Sequence, residues 1–479
     1  MKQFTVKLLV LGLLTLQFLT GCQRDSIMPE LERPSRGDTN EDLLKDSVYI
    51  YTYFFYLWQD ELPDQFPTRN YNSADAVLEA LKGYARNDKG DPYDRFSFLD
   101  RTGTVDAEVQ QGLSGSFGFD VRYQNDTDLY VKKVDLQSPA YTAGIRRGWK
   151  VLAINGNGNL SLASMEQDNY AFLYGALDGT VIDLKLQKPD GESVTVSLRR
   201  QSYRIQPILA HRIYTAGTKK VGYFAFDIFV STLDFNNAST YVKTQLDQLM
   251  SQFEAAGIDE LIVDLRYNGG GAVVTADYLA NLLAPPAVGN GLMYSYKLND
   301  ELVKGGWQKD VFPTQYFDKP NGLQLDRIYF LVTEGTASAS ELLINTLEPH
   351  IDVKLIGENR TYGKPVGNFA WDIMNVDLYA VSFQTFNSEG YGDYFSGFPV
   401  DRVAYDDLTR DFGDPKEAMI AEALHYAETG NFTATARNLQ LNNRQIGGGM
   451  ASRSNLNQVL DRHGNKGMYR FDRKAIQHK

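Results

Sequence analysis

Leu261 to Gly271 reads LIVDLRYNGGG, and further along Ile328 to Leu347 reads IYFLVTEGTASASELLINTL. Each opens as an apolar run of strand length and breaks into small residues, and the second continues with helical spacing. A third stretch, VKLIGENRTYGKPVGN (Val353 to Asn368), is a strand followed by a loop that carries Lys364 between Gly363 and Pro365. Around these stretches, strand-like VGYFAF, LIVDLRY, IYFLVT and VKLIGE alternate with helical LDQLMSQFEAAG and ASELLINTLEP. That order, over residues 205–430, predicts an α/β domain with a largely parallel sheet.

The breaks between elements are where chemistry is expected. No Gly-Lys-Ser/Thr follows the glycines of LIVDLRYNGGG, and GxGxxG is absent there, so neither a Walker loop nor a dinucleotide fingerprint is present. The turn suits presentation of N–H groups to an oxyanion. A serine at the strand-to-helix junction near Ala339 would hold its hydroxyl over a helix N-terminus, where negative charge is stabilised. Ser338 and Ser340 both lie there, and one of them can be a simple N-cap. Pro365 biases Lys364 toward extended backbone.

Outward from this domain the chain changes character. Residues 113–200 hold the short alternating segments FGFDVRY, LYVKKV, KVLAING, VIDLKLQ and SVTVSLRR, a small β-rich module. Residues 41–112 predict a small helical region: VYIYTYFFYLW is dense in aromatic core formers, and SADAVLEALKGYA has helical apolar spacing with Ser73 as N-cap. Residues 22–40 read as a polar tether. Residues 1–21 read as a secretory signal, with Lys2 and Lys7 before the apolar run Leu8 to Leu19. Residues 431–479 carry nine Lys+Arg against two Asp+Glu and read as a basic, partly disordered tail.

Composition bounds the function. Across 479 residues, 43% are apolar and 23% charged, as in a soluble globular protein, and the net charge of −12 argues against nucleic acid as partner. The single cysteine excludes an intrachain disulfide framework and a CxxC redox motif, and the five histidines show no HExxH spacing. No metal or organic cofactor is implied. No GxSxG elbow surrounds Ser338, which disfavours an α/β-hydrolase. A histidine triad would have to use His350, twelve residues beyond Ser338 and a helix length away.

Six segments carry family resemblances. Leu19-Thr-Gly-Cys22 resembles the bacterial lipobox, which implies lipidation of Cys22 and anchoring on a membrane surface of the cell envelope. SGSFGFDV (Ser114 to Val121) and SPAYTAGIRRGWKVLAINGNGN (Ser138 to Asn159) resemble a PDZ domain. That implies a loop at Phe117, Gly118 and Phe119 that captures a peptide's terminal carboxylate, and a strand edge that pairs with the peptide. Asp264-Leu-Arg-Tyr-Asn-Gly-Gly-Gly271, Ser338-Ala-Ser-Glu341 and Gly357-Glu-Asn-Arg-Thr-Tyr-Gly-Lys364 are similar, in order, to the motifs of the C-terminal-processing, or tail-specific, serine proteases. The resemblance implies Ser338 as nucleophile, Lys364 as general base, and an oxyanion hole from Ala339 with Gly269 or Gly270. The family often has a glutamine four residues after the lysine. Asn368 stands there, with the same amide on a shorter stem. The implied function is a serine endopeptidase acting on protein or peptide substrates with exposed C-termini. The alternative is a peptide-binding lipoprotein adaptor without proteolysis.

Overall fold

The computed structural model describes residues 37–434 and 467–470. Cys22, the signal and the tether before residue 37 lie outside the described residues, as does the tail apart from 431–434 and 467–470. Among the described residues no helix is long and apolar enough to cross a membrane.

The N-terminal region forms helix α1 (Asn40–Phe55) and helix α2 (Ala74–Lys82), followed by strand β1 (Phe98–Asp100). Thr39 and Asp42 form a reciprocal capping box at the start of α1, and the Ser73 side chain accepts from the Ala76 N–H at 3.1 Å. Each such cap is worth about 1 kcal/mol. Tyr49, Tyr53, Tyr56 and Phe66 are buried with Leu78 and Leu81, so the aromatic density is core.

The small β module is a five-stranded antiparallel sheet in the order β2 (Phe119–Tyr123), β3 (Leu129–Val134), β4 (Lys150–Ile154), β5 (Val181–Gln187), β6 (Ser193–Arg199). Strand β2 is its edge. Gly118, just before it, has φ +78° and packs so tightly on Ser138 that any Cβ would collide with that side chain.

The remaining elements run β7 (Ile208–Ala216), β8 (Lys219–Phe226), α3 (Tyr241–Ala256), β9 (Glu260–Asp264), β10 (Gly270–Ala272), α4 (Val273–Leu283), β11 (Leu292–Lys297), β12 (Gln315–Tyr316), β13 (Arg327–Val332), α5 (Ala339–Leu347), β14 (Asp352–Gly357), β15 (Val366–Ile373), β16 (Val376–Asn387), β17 (Arg402–Val403), α6 (Ala418–Thr429) and β18 (Gly467–Arg470). They form two sheets. The first, in the order β17-β14-β13-β9-β8-β7, is parallel except for the β7–β8 pair. Its central strands β9 and β13 are buried on both faces, which is why they read as unbroken apolar runs. The second sheet, in the order β10-β18-β15-β16-β11-β12 with β1 also on β16, is mixed and was not foreseen from the sequence. Its strands β10, β12 and β18 have only three, two and four residues, too few to show an alternation.

All nine residues of α5 are buried. Its leucines and isoleucine share one core with Phe224, Val263, Phe330 and Phe383. A helix buried all round is held rigidly, which fixes the residue at its N-terminus.

Candidate active site

Strand β13 ends at Val332, and six residues later the chain enters α5 through Ser338. Ser338 has φ +62° and ψ −108°, a conformation that costs a non-glycine residue on the order of 1–3 kcal/mol. Ser338 occupies the N-cap position of α5, its N–H is held by Glu341, and its buried Oγ has no hydrogen-bond partner. Ser340 instead ties the helix down, donating from Oγ to the Asn268 carbonyl at 3.0 Å. The two candidate serines thus separate: one is structural, and the other is held in strained backbone with its hydroxyl unspent.

Glu341 organises the site. Its Oε2 accepts the N–H groups of Ser338 and Lys364, each at 2.8 Å. Its Oε1 accepts the Thr361 hydroxyl at 2.6 Å and the Gly363 N–H at 2.7 Å. Burial pushes this carboxyl's pKa up, and the four donors oppose that by favouring the carboxylate. One oxygen therefore clamps the backbone of both dyad candidates. This role was invisible in the sequence, where Glu341 is only the last letter of a motif.

The Lys364 side chain is fully buried. Its Nζ donates to Asn368 Oδ1 at 2.8 Å, so the shorter amide reaches. Asn368 Nδ2 donates to the Tyr379 carbonyl at 2.9 Å, which fixes the amide with its oxygen toward the amine. The ring of Phe96 lies 5.4 Å from Nζ. Phe96 comes from the N-terminal region, which is anchored here by Arg95, whose guanidinium donates to the carbonyls of Tyr362 and Gly363 at 3.1 Å. Burial lowers the Lys364 pKa from 10.5 to about 7, partly offset by the charges of Asp94 and Glu341. That makes the ammonium roughly 5 kcal/mol less favourable relative to the neutral amine than it is in water.

The glycine turn lies against the start of α5. Gly270 and Gly271 have φ +108° and +140°. A Cβ on Gly270 would stand 3.0 Å from the Ala339 nitrogen, and one on Gly271 would collide with the Phe229 carbonyl, so only glycine fits. The Gly270 N–H donates to Asn268 Oδ1 at 2.9 Å and is already spent. No acceptor among the described residues takes the Gly269 N–H. Ala339 is the first residue of α5, where N–H groups lack an intrahelical acceptor.

Two predicted features sit elsewhere. His350 lies beyond the far end of α5, against the Phe317 ring and 3.1 Å from Ser388 Oγ. Phe117 and Phe119 are buried in the core of the β module. The Gly118 N–H donates to Ser116 Oγ at 3.1 Å.

A buried ionic network joins the β module to the glycine turn. Asp406 accepts from Arg147 at 2.7 Å and Arg266 at 2.8 Å, and from the Tyr267 hydroxyl. Arg122, on edge strand β2, pairs with Glu358 at 2.7 Å. Burial raises the pKa of Asp406, but Arg147, Arg266 and Arg122 together hold it far below the usual carboxylate range. Arg266 and Tyr267 immediately precede Asn268 and the glycines. Sequence offered no sign of this network, because its partners are more than a hundred residues apart.

Peptidase family S41 matches residues 220–399, and the peptidase S41 N-terminal domain matches residues 53–98. The carboxyl-terminal-processing protease of Picosynechococcus sp. (strain ATCC 27264 / PCC 7002 / PR-6) is 25% identical over 276 residues, 57% of this chain and 60% of that protein. The carboxy-terminal processing protease CtpA of Bacillus subtilis (strain 168) is 24% identical over 286 residues, 60% of this chain and 54% of that protein. The chain thus spans between half and two thirds of the length of these curated relatives. A crystal structure from Bacteroides fragilis NCTC 9343, assigned as an S41 protease, superposes with a TM-score of 0.62 at 23% identity. That superposition covers 84% of this chain and 99% of the other, and it concerns the fold.

Proposed function

Since the chain carries the domains of peptidase family S41 and is homologous to C-terminal-processing proteases, we propose that it is a serine endopeptidase working through a Ser338–Lys364 dyad. The observation that carries this reading is the state of the two side chains. The Ser338 hydroxyl has no structural task, and the buried amine of Lys364 is poised near neutrality.

A neutral lysine has two N–H bonds and one lone pair. One N–H stays on Asn368, and the lone pair takes the proton from Ser338 Oγ as it attacks the scissile carbonyl. The N–H groups of Ala339 and Gly269 hold the resulting oxyanion. The Lys364 ammonium then gives its proton to the departing amine, leaving an acyl-enzyme at Ser338. Water, deprotonated by the same lysine, releases the acyl group and restores both residues. The adaptor alternative rested mainly on the shortened amide, and the 2.8 Å contact from Lys364 to Asn368 removes that support.

Because the base acts only when neutral, kcat/KM should rise tenfold per pH unit below the Lys364 pKa and level off above about 7. Initial rates on an unfolded protein between pH 5 and 9 test this. A rate independent of pH below 7 would remove Lys364 as base.

The substrate is a protein whose C-terminus is captured by the β module, which acts as a PDZ domain through edge strand β2. Support comes from the free edge and from the Arg122–Glu358 and Arg147–Asp406 links toward the glycine turn. Peptides with a free terminal carboxylate should be cut at least several-fold faster than their amidated counterparts, read by mass spectrometry. Equal rates would leave the module as a spacer. The resemblance of Leu19–Cys22 to a lipobox supports an acyl anchor at Cys22 that holds the enzyme on the envelope. Labelled fatty acid should therefore enter the parent but not Cys22→Ala.

A further inference from the structure

Strand β18 stands out because it closes the second sheet from very far along the chain. It lies parallel between β10 and β15, pairing Gly467 with Gly270, Met468 with Gly271 and Tyr469 with both Ala272 and Asn368. Without it, β10 and β15 would face each other across a slot about 10 Å wide, two strand spacings, with unpaired backbone on both walls. Both walls belong to the candidate site: β10 continues the glycine turn, and β15 begins two residues after Lys364.

The strand fills that slot in register. The Gly467 N–H donates to the Gly269 carbonyl at 3.0 Å, and the Gly467 carbonyl lies where a Cβ on Gly270 would sit, beside the Ala339 nitrogen. Met468 is fully buried in the main core. The Tyr469 ring meets Tyr379 edge-on at 5.2 Å and covers Lys364 Nζ at 5.9 Å. The Arg470 guanidinium donates to the Tyr296 hydroxyl at 3.0 Å and lies 5.0 Å from the Phe312 ring. Asp277 lies behind these rings, accepting from the Tyr294 hydroxyl at 2.7 Å. Burial pushes its carboxyl up to about 7, which the nearby Arg470 cation opposes.

We propose that Gly467–Arg470 is a resident peptide in the substrate groove, excluding external substrates in cis, and that the groove takes an aromatic residue followed by a basic one. The chain's own segment is held by strand addition, the mode by which an extended peptide gains affinity from main-chain bonds and specificity from alternate side chains. The aromatic subsite is formed by Tyr379 and Phe98, and the basic subsite by Tyr296, Phe312 and Asp277. The same strand shields the amine from water while it is resident.

The proposal rests on the groove being the peptide site, so its test uses binding without catalysis. A fluorescent peptide of residues 465–472, NKGMYRFD, is titrated into the full-length Ser338→Ala chain and into the same chain with Met468→Asp and Tyr469→Asp. If the tail occupies the groove about nine-tenths of the time, freeing it tightens apparent affinity about tenfold. The matching chain that retains Ser338 should cleave external substrate faster by a similar factor. Arg470→Asp, placed opposite Asp277, gives a milder release if the double substitution impairs folding. A peptide with glutamate for the arginine should bind less well. Equal binding to native-tail and released chains, or binding to neither, overturns the proposal, as does cleavage of the tail within 467–470. Peptide binding to the released chain with no cleavage by any Ser338 chain would sink the peptidase reading and leave the groove assignment standing.

Discussion

Ser338→Ala should lower kcat/KM by about 10⁴-fold or more while the melting temperature stays within about 2 °C of the parent. The two halves of this expectation have separate causes. Loss of the Oγ removes the attacking atom, and no other hydroxyl replaces it, because Ser340 is committed to the Asn268 carbonyl. Stability is spared because the Ser338 Oγ makes no hydrogen bond, and the strained backbone is held from outside by Glu341. Alanine meets the same φ penalty as serine. Cleavage assays on unfolded protein, run beside thermal unfolding, read both quantities. Residual cleavage within tenfold of the parent would assign the nucleophile elsewhere.

Lys364→Met should lower kcat/KM by about 10³–10⁴-fold, the usual contribution of a positioned base, and should stabilise the chain at low pH. Methionine has similar length and needs no desolvation. The stability effect has a defined sign. The folded pKa of about 7 lies below the ordinary 10.5, so the unfolded chain binds more protons between those values. Stability contributed by this group is therefore highest above pH 10.5, falls as pH drops to 7, and stays low below that. Methionine removes the penalty, so its gain over the parent should be largest below pH 7, up to about 5 kcal/mol less the lost bond to Asn368. Chemical denaturation of parent and variant at pH 6 and pH 10 measures the difference. A gain of equal size at both pH values would mean that the parent lysine is charged throughout and cannot be the base.

Position matters as much as identity in both variants. Burial lowers the Lys364 pKa to about 7; the rings of Phe96 and Tyr469 lie 5.4 and 5.9 Å from its Nζ, and Phe96 arrives from 268 residues earlier in the chain. The peptidase S41 N-terminal domain match at 53–98 ends just past that residue. The N-terminal region thus contributes to the surroundings of the Lys364 amine as well as to the core.

Local signals were legible wherever one segment sets its own conformation. The apolar runs of β9 and β13, the capping serine at 73 and the Ser338–helix junction follow from residues adjacent in sequence, and so do the glycines that alone fit beside Ala339 and Phe229. Phe117 and Phe119 were ambiguous for the same reason: an alternating pattern tells which side chains share a face, and burial decided that theirs is the core. The charge of the tail was equally readable, yet GMYR, four residues in a polar context, carries no sign of a strand. A strand of that length exists only because two distant edges supply its hydrogen bonds.

By itself, then, the sequence marked the serines, lysine, amide and glycines from which a site could be built. Only the tertiary structure decided their state. Desolvation of Lys364, the four-donor clamp on Glu341, the arginine cluster on Asp406 and the strand resident between β10 and β15 all depend on groups far apart in the chain. Desolvation and hydrogen bonding are properties of neighbours in space, and the order of residues specifies those neighbours only through the fold.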